Sequence, residues 1–336
     1  MPTYPSIPAQ AADQIYASTM QEYSPKVKSQ TFDKMPAAAA LWKNKGTGTL
    51  GNGRHEWRVE AGLNDNAKVL TSDADTVTFS QQSNLTLAWY DYMAFLAVPV
   101  QKSMLRDSQN SGEAQLISLV KTDMRIASKT MKRMISSQTF GDGSGKTIVG
   151  LQALLPSTGV GTNTLFNIAE ANASFWKNYF LTNAGSFTTQ GYRGSADDKL
   201  TRGYLTCSDS GSETPNLVIS DRTVFEYQMR TQGQLVRITK DGDFGKIGTS
   251  SISGNAGDGM PFYDAKWVWD NECPAGTVYF VHTDDFELVE DPNFNFKWIP
   301  VNLGLQFLLS GMVLTYRVQS KIDRRNWNGV QTGWTA

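Results

Sequence analysis

The chain has 336 residues, with 31 Lys and Arg against 32 Asp and Glu and a formal net charge of −1. That length supports a large core and about two domains, and the charge balance argues against a protein whose main task is to grip a phosphate backbone. Only Cys207 and Cys273 are present, which excludes a disulfide framework and a thiolate zinc cage.

A net charge near zero also removes the self-repulsion that keeps monomers apart, so association is easy. No charged-then-apolar leader opens the sequence, and the longest apolar stretch, Leu303 to Leu314, is too short to span a bilayer. The expectation is a soluble protein made in a reducing cytoplasm, with two free thiols and no membrane partner.

Residues 1–45 read as an extended arm. Pro2, Pro5 and Pro8 oppose helix at the start, Ala11 to Glu22 has moderate helical character, and Pro25 closes it. From Gly46 to Val100 the pattern becomes β. Arg54, Glu56, Arg58 and Glu60 alternate with His55, Trp57 and Val59, a strict period of two. Thr76 to Ser80 alternates Val77 and Phe79 with hydroxyls, and residues 62–66 between the runs are loop-like. The pattern predicts a long two-stranded ribbon followed by a third strand or extended segment from Leu85 to Val100. An isolated ribbon is marginal in water, so one with an aromatic stripe calls for a partner such as another subunit.

The clearest helix is Glu113 to Thr139, with Asn110 placed for a capping-box-like start. Leu116, Val120, Met124, Ala127, Met131 and Met134 share one face, and Lys121, Arg125, Lys129 and Arg133 form a basic row at intervals of four. At 1.5 Å per residue such a helix is about 40 Å long. It stops at Phe140-Gly141-Asp142-Gly143-Ser144-Gly145. Beyond it, Gly150 to Leu155 reads as an apolar turn and strand, Asn172 to Leu181 as a short aromatic helix, and Ser186 to Asp198 as a polar loop. Asn216 to Ile219 is a buried strand by its apolar run, and Ser220 or Asp221 caps a helix carrying Val224, Tyr227 and Gln228. Phe244 to Gly259 is Gly/Ser-rich and reads as mobile. Pro261 to Thr283 reads as a hairpin with a wide tip at Asp270 to Gly276, between the runs Lys266 to Trp269 and Thr277 to Val281. Leu314, Tyr316, Val318 and Ile322 then give a strand one apolar face, opposite Thr315, Arg317, Gln319 and Lys321.

The motifs that could carry chemistry are weak. Gly141 to Thr147 looks like a phosphate-binding loop but is one residue short, with Phe140 where the first glycine belongs, and it follows a helix where such loops follow a strand. Asp241-Gly242-Asp243 lacks the further oxygen ligands of a calcium loop. The only histidines, His55 and His282, have no nucleophile beside them in sequence, and neither a Gly-x-Ser-x-Gly elbow nor a His-Glu-x-x-His pair occurs. The carboxylates from Asp284 to Asp291 read as a solvated face, with nothing to separate an acid from a base. No enzyme and no cofactor is expected. The basic row reads either as a solvent-facing stripe or as a contact with a neighbouring subunit or nucleic acid. The mixed charges of Arg54, Glu56, Arg58 and Glu60 suit register-setting contacts between copies.

Four phrases, in this order, resemble the major capsid proteins of tailed bacteriophages with the Hong Kong 97-type fold. They are the long helix ending in Phe140-Gly141-Asp142-Gly143 and followed by Gly150-Leu151-Gln152-Ala153-Leu154; residues Asn172 to Asn178; Pro215 to Arg222; and Asp270 to Thr277. The resemblance implies an α+β fold with an N-terminal arm (1–45), an extended β-hairpin or E-loop with its return strand (46–100), and a peripheral domain with a spine helix (101–145). An axial domain (146–290) and a return to peripheral strands and a C-terminal tail (291–336) would complete it. It implies a structural protein of the virion, assembled in the host cytoplasm into pentamers and hexamers that form an icosahedral shell around double-stranded DNA. Obligate contacts of roughly several thousand Å² per copy follow from that role. The implied partners are other copies, a portal, separate scaffolding or decoration proteins and, through nonspecific contacts, the packaged double-stranded DNA. About 45 residues before the ribbon leave no room for a built-in scaffold, so any scaffold used would be a separate protein. The candidate contact residues are Arg54, Glu56, Trp57, Arg58, Glu60 and Lys68 on the ribbon and Lys121, Arg125, Lys129 and Arg133 on the helix. The family prototype carries a Lys–Asn cross-link, for which Lys68 and Asn326 or Asn328 are the residues to ask about, although no local motif supports it. The competing readings are an encapsulin-like nanocompartment shell on the same fold and a nucleotide-binding enzyme using residues 141–147.

Overall fold

The computed structural model describes residues 36–51, 53–62, 66–72, 75–76, 85–103, 113–182, 184–186, 195–208, 213–235, 260–302 and 309–335. The expected helix at Ala11 to Glu22, the Val77 and Phe79 run, the Asn110 cap, Asp241 to Asp243 and the Gly/Ser-rich segment lie outside them. The chain divides into two compact units. The first takes residues 1–33, 95–135 and 291–318, and the second takes 34–94, 136–290 and 319–336.

In the first unit, strand Lys297–Asn302 pairs antiparallel with the 309–318 part of strand Leu309–Ile322, from Lys297 opposite Thr315 to Asn302 opposite Ser310. The strand Ala94–Ser103 also pairs with the longer of them. Phe296 lies on Tyr316 with ring centroids 4.4 Å apart, and Arg317 Nη1 meets Asp291 Oδ2 at 3.1 Å. The long helix runs from Glu113 to Thr139 with the bounds that its periodicity predicts, and Ala127 and Met131 of the apolar stripe are buried. The strand Leu309–Ile322 is less two-faced than its alternation suggests. Thr315 is buried and donates its hydroxyl to Lys297 O.

The second unit is built on a six-stranded sheet. Its strand order is Met260–Phe262, Ala265–Trp269, Leu217–Ser220, Val278–Val281, Gly329–Gln331 and Tyr179–Leu181. The hairpin expected at residues 261–283 is therefore not one. Leu217–Ser220 sits between its two arms, parallel to Ala265–Trp269 and antiparallel to Val278–Val281. All four residues of that strand are buried, and a strand that is apolar on both faces takes the middle of a sheet. The connection Asp270 to Gly276 must then straddle two strand spacings, about 10 Å, which a tight turn cannot do. Its shape is held by Cys273 N donating to Asp270 O, Thr277 N to Pro274 O, and Gly276 N to Asp221 Oδ2. Gly276 has φ +63, and a Cβ there would stand 2.2 Å from Trp334 O, so only glycine fits.

Helices Ser195–Thr206 and Arg222–Leu235 cover this sheet, burying Leu200, Tyr204 and Val224 with Trp267, Val278 and Phe280. The first helix begins inside the expected polar loop. Its signal, Leu200, Tyr204 and Cys207 at spacings of four and three, starts only past the charged turn. Two further expectations are corrected. Gly150 to Leu155 forms one α-helical turn, Leu151–Leu154, because Gly150 approaches the backbone of Gly141 so closely that a Cβ would lie 2.4 Å from its nitrogen. Asn172 to Leu181 forms a 3-10 turn, Ser174–Trp176, and then a strand, because buried Trp176 anchors the turn and Tyr179–Leu181 pairs with Gly329–Gln331. At the other end, residues expected in the arm are docked. Ala37 and Leu41 of helix Pro36–Leu41 are fully buried, and Trp42 Nε1 donates to Thr139 Oγ1 at 2.9 Å. Strand Lys45–Thr47 pairs in parallel with Phe286–Glu290.

Candidate inter-subunit surfaces

The ribbon consists of His55–Glu60 and Leu85–Tyr90, antiparallel. Residues 55–60 thus find their partner in the segment read as a third strand. The register sorts its side chains cleanly. On one face His55, Trp57 and Val59 stand opposite Tyr90, Ala88 and Thr86; on the other Glu56, Arg58 and Glu60 stand opposite Trp89, Leu87 and Leu85. The first face is closed within the chain. Trp57 is only 8% exposed, lies 5.6 Å from Tyr90 and takes the edge of Phe166 at 5.0 Å, while His55 stacks on Tyr90 at 5.2 Å. Lys321 Nζ lies 5.9 Å over the Trp57 ring and bridges Glu287 at 3.0 Å and Asp323 at 3.2 Å.

The second face is open. Glu56, Arg58 and Glu60 are exposed, and Leu85 and Leu87 remain 51% and 46% exposed. Arg54 lies 4.9 Å over the Trp89 ring and 3.5 Å from Glu56. One strand thus offers a row of alternating charge and the other a row of apolar side chains, a surface that can bury area while setting register. Lys68, Val69 and Leu70 farther along the chain are exposed as well. Next to them Asp75 accepts from Thr71 N, Thr71 Oγ1 and Ser72 N, which lowers its carboxyl below the usual value.

The structure therefore separates the predicted ribbon residues. Arg54, Glu56, Arg58, Glu60 and Lys68 are available at the surface, whereas Trp57 faces its own unit. On the long helix Arg125 and Arg133 are exposed and Lys129 is half-buried; the Lys121 side chain lies outside the described residues. Ile126 beside them is 48% exposed. Asn328 is fully buried. Its Oδ1 accepts from His282 N at 2.7 Å, and its Nδ2 donates to Asp285 Oδ2 and Arg324 O, so this side chain is committed to the fold, whereas Asn326 is exposed.

The chemical candidates come apart on inspection. In the loop 141–147 the Ser144 amide, which a phosphate would need, already donates to Asp142 Oδ1 at 3.0 Å, and that bond holds the Asp142 carboxyl low and ionised. Cys273 is buried with its thiol donating to Thr277 O, and burial together with the Asp221 and Asp270 carboxylates pushes its pKa well up, away from the thiolate. His282 Nδ1 lies 3.7 Å from Asp285 Oδ2, and Asp285 is engaged by Arg324 Nε at 2.6 Å. Among the described residues no group of three His, Cys, Asp or Glu is placed to hold a metal ion, and no helix is long and apolar enough to cross a membrane.

Sequence reasoning missed the buried ion pair of Glu170 and Arg325. Both are fully buried with Arg325 Nη1 2.8 Å from Glu170 Oε1, and the guanidinium also donates to Leu154 O and Trp176 O. The two residues are 155 apart in sequence, and no local pattern marks either of them.

Solved structures that this architecture resembles include two capsids and an encapsulin complex. The chain superposes on the capsid asymmetric unit of cyanophage A-1(L) with a TM-score of 0.63 and 14% identity, over 92% of this chain and 96% of the other. It superposes on the capsid of a native GTA particle with a TM-score of 0.55 and 12% identity, over 89% and 91%. The holo-SrpI encapsulin complex from Synechococcus elongatus PCC 7942 follows with a TM-score of 0.52 and 10% identity, over 93% and 94%. No family model and no curated protein sequence matches the chain. The likeness is one of architecture: the chain has the α+β Hong Kong 97-type capsid fold.

Proposed function

We propose that the chain is the structural shell subunit of a tailed-phage head, without catalytic activity. Copies of it self-assemble into pentamers and hexamers that close an icosahedral capsid. The observation that carries this reading is the end-to-end match to a phage capsid subunit, over 92% of this chain and 96% of that one. The open ribbon face supports it, since a two-stranded ribbon with exposed Leu85 and Leu87 gains from burial against a second copy. In this reading the first unit, with the long helix, belongs to the peripheral domain and the six-stranded sheet to the axial domain. Arg54, Glu56, Arg58, Glu60 and Lys68 set register between copies, and the basic row of Lys121, Arg125, Lys129 and Arg133 meets a neighbour or the packaged DNA. Portal, scaffolding and decoration proteins are the further partners, and assembly takes place in the host cytoplasm before the subunit becomes part of the virion.

The likeness to an encapsulin supports a second reading, a protein nanocompartment on the same fold. Electron microscopy of the purified chain tests both: closed particles or capsomers are expected, and a species that stays monomeric under all conditions sinks both. Nuclease-protected DNA inside native particles favours the head, and a packaged protein favours the compartment.

A further inference from the structure

The ribbon root is gripped by a residue that pays a conformational penalty to be there. We propose that the turn Phe166-Asn167 is a plug that fixes the ribbon to the body of its own unit, with Phe166 as the positioning residue and the Glu170–Arg325 pair as the bolt behind it.

The plug sits at the tip of a minimal hairpin, Thr164–Leu165 with Ile168–Ala169. Two-residue strands have no stability of their own, so this hairpin takes its shape from what it touches. Both turn residues are left-handed, Phe166 at φ +52 and Asn167 at φ +66. Asparagine tolerates that region, whereas a bulky aromatic residue does so only when its surroundings impose it. Here they do. The Phe166 ring is 8% exposed, meets Trp57 edge-on at 5.0 Å and lies 6.1 Å from Tyr90. Its carbonyl accepts from Trp89 N at 3.1 Å. One residue from outside the ribbon therefore engages both ribbon strands, Trp57 on the first and Trp89 and Tyr90 on the second.

The base of the hairpin is tied down in turn. Glu170, the residue after its second strand, donates its amide to Asn163 O and accepts from Gly161 N. Its other carboxylate oxygen takes Arg325, which reaches Leu154 O at 2.8 Å and Trp176 O at 2.9 Å. The path from ribbon to body thus runs Trp57, Phe166, Glu170, Arg325. The grip belongs to the single chain and does not rest on the shell reading.

Hydrogen–deuterium exchange on the full chain, with wild type and variants compared in a matched assembly state set by light scattering, tests the plug. Phe166→Ala should speed exchange of residues 55–60 and 85–90 about tenfold, the equivalent of one lost edge-to-face pair, while 217–220 and 278–281 keep wild-type protection. Asn167→Gly, which keeps the plug, should leave the ribbon at wild-type rates. Equal loss of protection in ribbon and sheet, or no change in the ribbon, overturns the proposal. If Phe166→Ala does not fold, Phe166→Leu decides by the same rule, since it keeps apolar volume but removes the ring edge.

Discussion

In the six-stranded sheet, the strand Leu217–Ser220 has a hydrogen-bonded neighbour on each side and no exposed residue. In the ribbon, each strand has one neighbour among the described residues, and one of the two faces carries leucines that are half exposed. The apolar side chains of the sheet's central strands find their contacts within the chain, under helices that lie on it, and the edge residue Phe180 stays 44% exposed. The ribbon satisfies only the face turned to Phe166. The same alternation of side chains thus gives a closed core in one place and an unfinished one in the other, and the difference lies in what covers the second face.

Substitutions divide along that line. On the closed side, Arg325→Met leaves the fully buried Glu170 without its ion-pair partner, and a loss of about 3–5 kcal/mol is expected in chemical denaturation. Gly276→Ala forces a Cβ against Trp334 O in a left-handed turn and should cost about 1–3 kcal/mol by the same measurement. A smaller effect comes from Asp270. Burial, reinforced by the Glu272 carboxylate, raises its folded-state pKa, with the amides of Glu272 and Ala37 opposing. The folded state then holds its proton more tightly than the unfolded chain. This group's contribution therefore favours folding increasingly as pH falls from neutral through the raised value, and levels off below the ordinary carboxylate range. Asp270→Asn should flatten that part of the stability–pH curve, measured as denaturation midpoints against pH. On the open side, Leu85→Ser with Leu87→Ser should change the unfolding free energy of the single chain by no more than about 0.5 kcal/mol. The same pair should reduce particle yield in electron micrographs. A large loss of intrinsic stability would mean that the open face is closed by the chain itself, and the contrast would fail.

What the sequence made legible was local. The helix Glu113–Thr139 was delimited in full because its stripe and its glycine-rich stop are both written within a few residues of each other. The in–out sorting of residues 55–60 was equally plain from a period of two. Partner choice was not legible. The runs 266–269 and 277–281 are neighbours in sequence and carry turn residues between them, yet a strand some 50 residues earlier lies between them. Alternation tells which face Trp57 occupies and not that Phe166 covers that face within the same chain. Phe166, the residue opposite, shows no periodicity at all. Glu170 and Arg325 had no local signature, because a buried pair is defined by its surroundings.

The order in which the chain closes has a kinetic side. Strand Gly329–Gln331 completes the sheet against Tyr179–Leu181, and Ser320 and Gln319 bond the backbone of Val149 across about 170 residues of sequence. The large unit cannot finish until residues beyond 319 have been synthesised, so its folding is governed by long loop closures and is slow. Both ribbon strands, His55–Glu60 and Leu85–Tyr90, lie in the first 90 residues and are made much earlier. A nascent chain can therefore carry its adhesive element before it has a body to hold it. On the shell reading proposed above, that interval is when the subunit is most exposed to premature pairing with other copies.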